Sequence, residues 1–263
     1  MSYSLQHSVN TPDLTFLIYL IYPYRITFQF AVNTKSTPTQ LNINERGSSF
    51  SKNSQFCNCQ KMLIVVTGFG PFRGHDVNPS WEAVKALPAA WDDDQHRLVV
   101  EEIPVDYDFV LKEVPDKWSR HSPDFILHVG VSHLAEKLTL ESQANNTGYD
   151  KPDVRAACPP ANCCVPSCQQ SKLSSCLDLT ELTAEVTDQC SDLGLEAEVS
   201  EDAGNYLCDF VYFKSLHATG GRSLFVHVPM IDKPYTVAQM TAGLKAVTKN
   251  IIKQLQCQAT PSK

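Results

Sequence analysis

The chain lacks a basic excess. Its 263 residues carry 22 Lys or Arg against 29 Asp or Glu, a net charge of −7, whereas a nucleic-acid-binding domain shows a basic face. It also lacks a membrane span. The one strongly apolar run, residues 14–22, is too short to cross a bilayer. No Lys or Arg precedes that run, Pro23 and Arg25 follow it closely, and no small-residue cleavage site comes after it, so no secretory signal is indicated. Phosphate-cradling loops are missing too. There is no Walker pattern, and the early Gly-x-Gly of Thr67-Gly-Phe-Gly-Pro-Phe72 runs into Pro71, with no third glycine placed to open a helix on a pyrophosphate.

Cysteine, by contrast, is abundant, with ten residues. Disulfide frameworks belong to short chains with a secretory signal. Without that signal the thiols read as reduced and the protein as cytosolic. With 43% hydrophobic and 19% charged residues the chain can build a sizeable core. Its charge is uneven: residues 1–61 hold five basic and two acidic residues, the remainder 17 and 27. Residues 33–61 are rich in Ser, Thr, Asn and Gln without apolar periodicity, so 1–61 is expected to be a low-complexity, disordered extension. Met62 opens directly onto an apolar strand pattern and reads as an alternative start. The expected domain is 62–263.

Within that domain, strand-like runs fall at 63–67, 98–103, 125–129, 138–140, 195–199 and 223–228. They are short and rich in Val, Ile, Leu and Phe, as suits strands buried on both faces. Helical spacing fills the gaps: 79–87 behind Asn78 and Pro79, 106–119 with Pro115 expected to bend or end it, 177–193 closed by Gly194, and 236–255. This alternation predicts a mostly parallel sheet covered on both faces. The Cys-, Pro- and Ser-rich stretch 150–175 reads as a long surface loop.

Four segments carry candidate chemistry. Phe69 and Phe72 sit three apart after the first strand, where open α/β sheets form binding crevices; they clamp a small flat ring or simply fill the core. Cys208 follows a glycine turn at the start of a helical pattern, where unpaired N–H groups favour a thiolate; a buried structural cysteine is the alternative. His227 and His128 each lie in an apolar strand and each needs a partner. Glu141 ends a short strand, as a free surface charge or as the carboxylate that orients an imidazole. Cys, His and Glu at three strand ends are what a thiol hydrolase needs, provided those ends converge at one edge of a parallel sheet. A fifth segment, the cysteines Cys158, Cys163, Cys164, Cys168 and Cys176, does not follow zinc-ligand spacing and reads as a reduced surface loop open to oxidation.

Taken in order, these segments resemble the type I pyroglutamyl peptidases. The likeness is carried by Val66-Thr-Gly-Phe-Gly-Pro-Phe72, Val77-Asn-Pro-Ser-Trp-Glu-Ala-Val84, Glu102-Ile-Pro-Val105, His128-Val-Gly-Val131, Leu138-Thr-Leu-Glu141, Asp202-Ala-Gly-Asn-Tyr-Leu-Cys-Asp-Phe210 and Phe225-Val-His-Val-Pro229. Cys158-Pro and Cys163-Cys164 point to the animal branch, and residues 1–61 have no counterpart. The resemblance implies a three-layer α/β/α sandwich around a mostly parallel mixed sheet. It implies a cysteine exopeptidase that removes N-terminal pyroglutamate from peptides through a thioester. Cys208 would be the nucleophile, His227 the base and Glu141 the third catalytic residue. Phe69 and Phe72 would clamp the pyrrolidone ring, with main-chain contacts to the lactam near Val131. No metal or organic cofactor, nucleic acid or membrane is implied. Departures are Ser142 in place of a family Lys or Arg, Asn205 in place of an Arg common in the animal branch, and Arg155 shifted in register from a family arginine. The alternative reading is a catalytically inactive relative that binds pyroglutamyl peptides or a protein partner.

Overall fold

The structure is a computed structural model that describes residues 61–72, 74 and 76–259. Apart from Lys61, the expected extension 1–61 lies outside the described residues. In chain order the elements are β1 (Leu63–Phe69), α1 (Pro79–Lys85), α2 (Leu87–Ala90), β2 (Arg97–Ile103), α3 (Tyr107–His121), β3 (Phe125–Val131), β4 (Leu138–Glu141), β5 (Gln143–Asn145), β6 (Lys172–Ser174), α4 (Leu179–Gln189), β7 (Ala197–Ser200), α5 (Leu207–Thr219), β8 (Ser223–Val228) and α6 (Val237–Ala259).

One six-stranded sheet has the order β2-β1-β3-β8-β4-β7. The strands β2, β1, β3 and β8 are mutually parallel; β4 meets β8 antiparallel, and β7 is parallel to β4. The sheet is therefore mixed and mostly parallel. Helices α1, α4 and α6 close one face over a core that includes Ile64, Leu127, Leu140 and Val226. Helices α3 and α5 close the other over Val65, Ile126, Phe210 and Phe225. This is a three-layer α/β/α sandwich.

Local chemistry sets the boundaries. Asn78 caps α1 by accepting the Ser80 N–H, with Pro79 in the first turn. The helix expected over 79–87 splits, because Pro88 has no N–H to continue α1 and starts the first turn of α2 instead. Pro115 does not end α3, which runs on to His121; buried Val110, Val114 and Trp118 hold both halves on the sheet. The last helical stretch before Gly194 is a separate 3₁₀ turn, Ser191–Leu193, closed by Gly194 at φ 62°. Strand β1 extends through Gly68 and Phe69 rather than turning at Thr67. A Cβ on Gly68 would lie 2.8 Å from the Trp81 Cα, so only glycine lets α1 lie this close to β1.

The stretch 150–175 is not a plain surface loop. Asp153, Cys164 and Val165 are buried, and its end forms β6, paired with β5. Burial is possible because its backbone groups find side-chain partners, from Asp153 within it and from Asn146 beside it. Asp153 accepts the N–H groups of Tyr107, Arg155 and Ala157, and the Asn146 side chain bonds both the N–H and the carbonyl of Val165.

Candidate active site

Strand register builds the centre of the site. In β8, Phe225 pairs with His128 of β3 and with Glu141 of β4, while His227 pairs with Gly130 and Thr139. Side chains alternate along strands, so Phe225, His227, His128 and Glu141 share one face, the one under α5. Glu141 is thus the diagonal neighbour of His227, within reach of a side-chain contact. The His227 Nδ1 and Glu141 Oε1 are 2.7 Å apart, both buried. This corrects the expectation of strand ends meeting at the edge of a parallel sheet. Glu141 comes from a strand running the opposite way, and it reaches His227 across the ladder.

Cys208 sits in the first turn of α5, after a turn in which Gly204 adopts φ +87° and its N–H is held by Asp202 Oδ1 at 3.0 Å. Its residue of entry, Tyr206, gives the helix no side-chain cap, which leaves the dipole and first-turn N–H groups facing the thiol end. The half-buried Sγ lies over Gly130, where an added Cβ would come within 2.9 Å of it. Gly130 is paired with His227, so the missing side chain opens the space in which the thiol meets the imidazole.

Electrostatics separate the two histidines. Burial alone would push His227 down, but hydrogen bonds and charge from Cys208 and Glu141 outweigh it and raise it to about 10. With Nδ1 taken by Glu141, Nε2 is the nitrogen left for Cys208. The second oxygen of Glu141, Oε2, is buried with no hydrogen-bond partner among the described residues. His128 is the opposite case. It is fully buried, its Nδ1 is 2.7 Å from Thr67 Oγ1 and its Nε2 2.8 Å from Ser215 Oγ, and burial lowers it to about 3. It is a neutral, satisfied core histidine.

A cavity of about 80 Å³ opens beside the thiol, lined by Phe69, Phe72, Val105, Val131, Tyr206 and Cys208, with Asn78 and Leu207. Phe69 is both core and wall, being buried in the second cluster, while Phe72 is half-buried at the rim. The aromatic pair, Val131 and Cys208 therefore meet at one cavity, with His227 and Glu141 behind the thiol. Tyr206, Val105 and the lining role of Asn78 were not singled out from sequence. The only signals were the place of Tyr206 two residues before Cys208 and the capping role of Asn78. Arg155 instead pairs with Asp106 at 2.6 Å, largely exposed, and Asn205 Nδ2 lies 3.5 Å from Asp150 Oδ1.

The cysteine-rich loop divides. Cys164 is buried, with its thiol 3.4 Å from the Phe210 carbonyl, and burial raises it well above the ordinary thiol range. Cys158 and Cys176 are exposed. So the expectation of a uniformly accessible loop holds for only part of it. All eight described cysteines are free, and no group of three or more His, Cys, Asp or Glu among the described residues is placed to hold a metal ion.

A thiol at a helix start, an imidazole beside it and a buried carboxylate behind the imidazole form, on an α/β/α scaffold, the arrangement of a cysteine hydrolase. Comparison with known proteins narrows the class. The sequence profile of the pyroglutamyl peptidase family matches residues 62–256, and the chain belongs to that family. It is 43% identical over 198 residues to pyroglutamyl-peptidase 1 of Homo sapiens, covering 74% of this chain and 92% of that one. It is 30% identical over 205 residues to the pyrrolidone-carboxylate peptidase of Enterococcus faecalis, covering 74% and 92%. The higher mammalian identity places it with the animal branch. The crystal structure of Bacillus amyloliquefaciens pyroglutamyl peptidase I superposes with a TM-score of 0.64 at 26% identity, covering 73% of this chain and 98% of that one.

Proposed function

We propose that this chain is a cysteine exopeptidase that removes N-terminal pyroglutamate from peptides, with Cys208 as nucleophile, His227 as general base and acid, and Glu141 as the residue that orients His227. The observation that carries the assignment of roles is the meeting of Cys208 with the Phe69–Phe72 cavity on one side and the 2.7 Å His227–Glu141 pair on the other.

Pyroglutamate has no free amine for an aminopeptidase to hold. A flat, neutral lactam suits aromatic faces and main-chain amide contacts, which Phe69, Phe72 and the strand end at Val131 supply. Glu141 holds the Nδ1 proton and stabilises the imidazolium that forms as His227 Nε2 takes the Cys208 proton, so the sulfur attacks as a thiolate. The thiolate attacks the pyroglutamyl carbonyl carbon. The oxyanion is received by first-turn N–H groups of α5. His227 then protonates the leaving amine and a thioester forms. Water, giving its proton to His227, releases pyroglutamate and restores the thiol. The need for a reduced Cys208 supports a cytosolic site of action, as do eight free cysteines.

The test is turnover of a fluorogenic pyroglutamyl amide under reducing conditions. Wild type releases fluorophore, Cys208→Ala releases none, and Cys158→Ser retains activity. Binding of a pyroglutamyl peptide by wild type without hydrolysis would refute the peptidase and leave the inactive binder.

A further inference from the structure

Helix α5 buries three polar side chains at intervals of three residues, Asp209, Tyr212 and Ser215. Residues three apart share a helix face, and burying polar groups in a row is unfavourable unless each is bonded. Each is bonded to the sheet side. Both Asp209 carboxylate oxygens accept the Asn145 N–H, at 3.1 Å each, and Oδ2 also accepts the Tyr149 hydroxyl at 2.9 Å. The Tyr212 hydroxyl donates to the Glu141 carbonyl at 2.8 Å. Ser215 holds His128.

The first two partners are main-chain groups at the two ends of one short segment, Glu141 to Asn145. That segment begins with the carboxylate that holds His227, and Asp209 directly follows Cys208. A bond to main chain fixes position without regard to the partner's side chain. Two such bonds, one helical turn apart, fix both the height and the rotation of α5 against the segment that joins β4 to β5.

We propose that Asp209 and Tyr212 are positioning residues that lock the first two turns of α5 to the main chain of the segment running from Glu141, the end of β4, to Asn145, the end of β5, and thereby set the Cys208 thiol against His227. This rests on the reading of Cys208 as the nucleophile. The role needs an acceptor at 209, not a charge. In keeping with this, burial raises the Asp209 carboxyl to about 7, against the lowering effect of its bonds from Tyr149 and Asn145. An asparagine preserves the pattern. Its Oδ1 accepts the Asn145 N–H and its Nδ2 donates to the Tyr149 oxygen, which leaves the single Tyr149 hydroxyl proton for its other acceptor, the Asn145 carbonyl.

The experiment measures kcat, KM and the rate of iodoacetamide labelling at Cys208, located by peptide mass spectrometry, for Tyr212→Phe, Asp209→Ala and Asp209→Asn. Tyr212→Phe, which deletes one oxygen and keeps the ring, is expected to lower kcat at least five-fold with KM within two-fold. Asp209→Ala is expected to lower kcat more than ten-fold, and Asp209→Asn to recover to within three-fold of wild type. Labelling of Cys208 slows in parallel. The proposal is overturned if Tyr212→Phe keeps kcat within two-fold, if the loss lies in KM, or if Asp209→Asn falls as far as Asp209→Ala. If Asp209→Ala does not fold, Tyr212→Phe decides alone. If wild type hydrolyses nothing, the peptidase reading fails, and unchanged labelling of Cys208 in Tyr212→Phe overturns this one separately.

Discussion

Replacing Gly130 by alanine tests the site geometry with a single methyl group. The new Cβ would lie 2.9 Å from Cys208 Sγ and 2.6 Å from Phe225 Cζ. Comfortable contacts between heavy atoms lie at about 3.5–4.0 Å, so the thiol has to retreat by roughly 0.6–1.1 Å. Misplacing a reacting group by about 1 Å costs about 100-fold in rate, or about 2.7 kcal/mol of transition-state stabilisation at 1.36 kcal/mol per tenfold. Overpacking by one methyl also costs about 1–3 kcal/mol of stability. The stability loss is common to any such site, so a control is needed. Gly243→Ala provides it: its Cβ would lie 2.6 Å from Leu138 Cδ1 and 2.9 Å from Leu195 Cδ1, in the other core cluster. Both variants are expected to melt earlier than wild type. On a fluorogenic pyroglutamyl amide, well below the melting temperature, Gly130→Ala loses about 100-fold in kcat/KM, and Gly243→Ala stays within three-fold, about the scatter of such comparisons. A Gly130→Ala enzyme within three-fold of wild type would refute the placement of the thiol over Gly130.

Three further outcomes follow from the same geometry. His227→Ala abolishes turnover while thermal unfolding stays cooperative, whereas His128→Ala takes the imidazole partner from Thr67, leaves Ser215 with the Trp118 indole N–H, opens a cavity and lowers stability by about 3 kcal/mol, measured by urea unfolding; equal stability loss in both would contradict the assignment. Because His227 is raised from 6.5 to about 10, its protonation stabilises the fold fully below pH 6.5, and that contribution is lost as pH rises toward 10. The melting-temperature gap between wild type and Glu141→Gln is therefore widest near pH 6 and narrows toward pH 10; a gap constant with pH counts against the pairing. Phe72→Ala removes one aromatic wall and lowers kcat/KM about ten-fold, chiefly through KM; a loss confined to kcat would place Phe72 outside the ring pocket.

Most of the sheet was legible because its strands announce themselves as short apolar runs, and six of the eight fall within two residues of expectation at each end. The two that were missed, β5 and β6, have three residues each and read as Gln-Ala-Asn and Lys-Leu-Ser. Their pairing depends on Asp209 and Asn146 contacts from distant positions, which no local pattern displays. The helix expected over 79–87 carries a clear start signal at Asn78, but its split is set by Pro88, which lies just beyond that span. Cys208 and His227 stood out as residue types in unusual places, yet His128 looked the same as His227. Only the partners distinguish them, Thr67 and Ser215 in one case and Glu141 in the other. The reversed direction of β4, which makes Glu141 a cross-ladder neighbour, has no local signature either.

The order β2-β1-β3-β8-β4-β7 has a consequence for assembly. The strand bearing His227 is the last strand in the chain, and it lies in the middle of the sheet, where it alone bonds β3 to β4. Without it the sheet is two unjoined halves and Cys208 is parted from His227. Such long-range pairing is slow to form. A nascent or partly unfolded chain therefore exposes a thiol without a working hydrolase, and proteolytic activity switches on only with closure of the whole domain. Turnover thus reports global folding, and it should vanish with the sheet's cooperative transition rather than ahead of it.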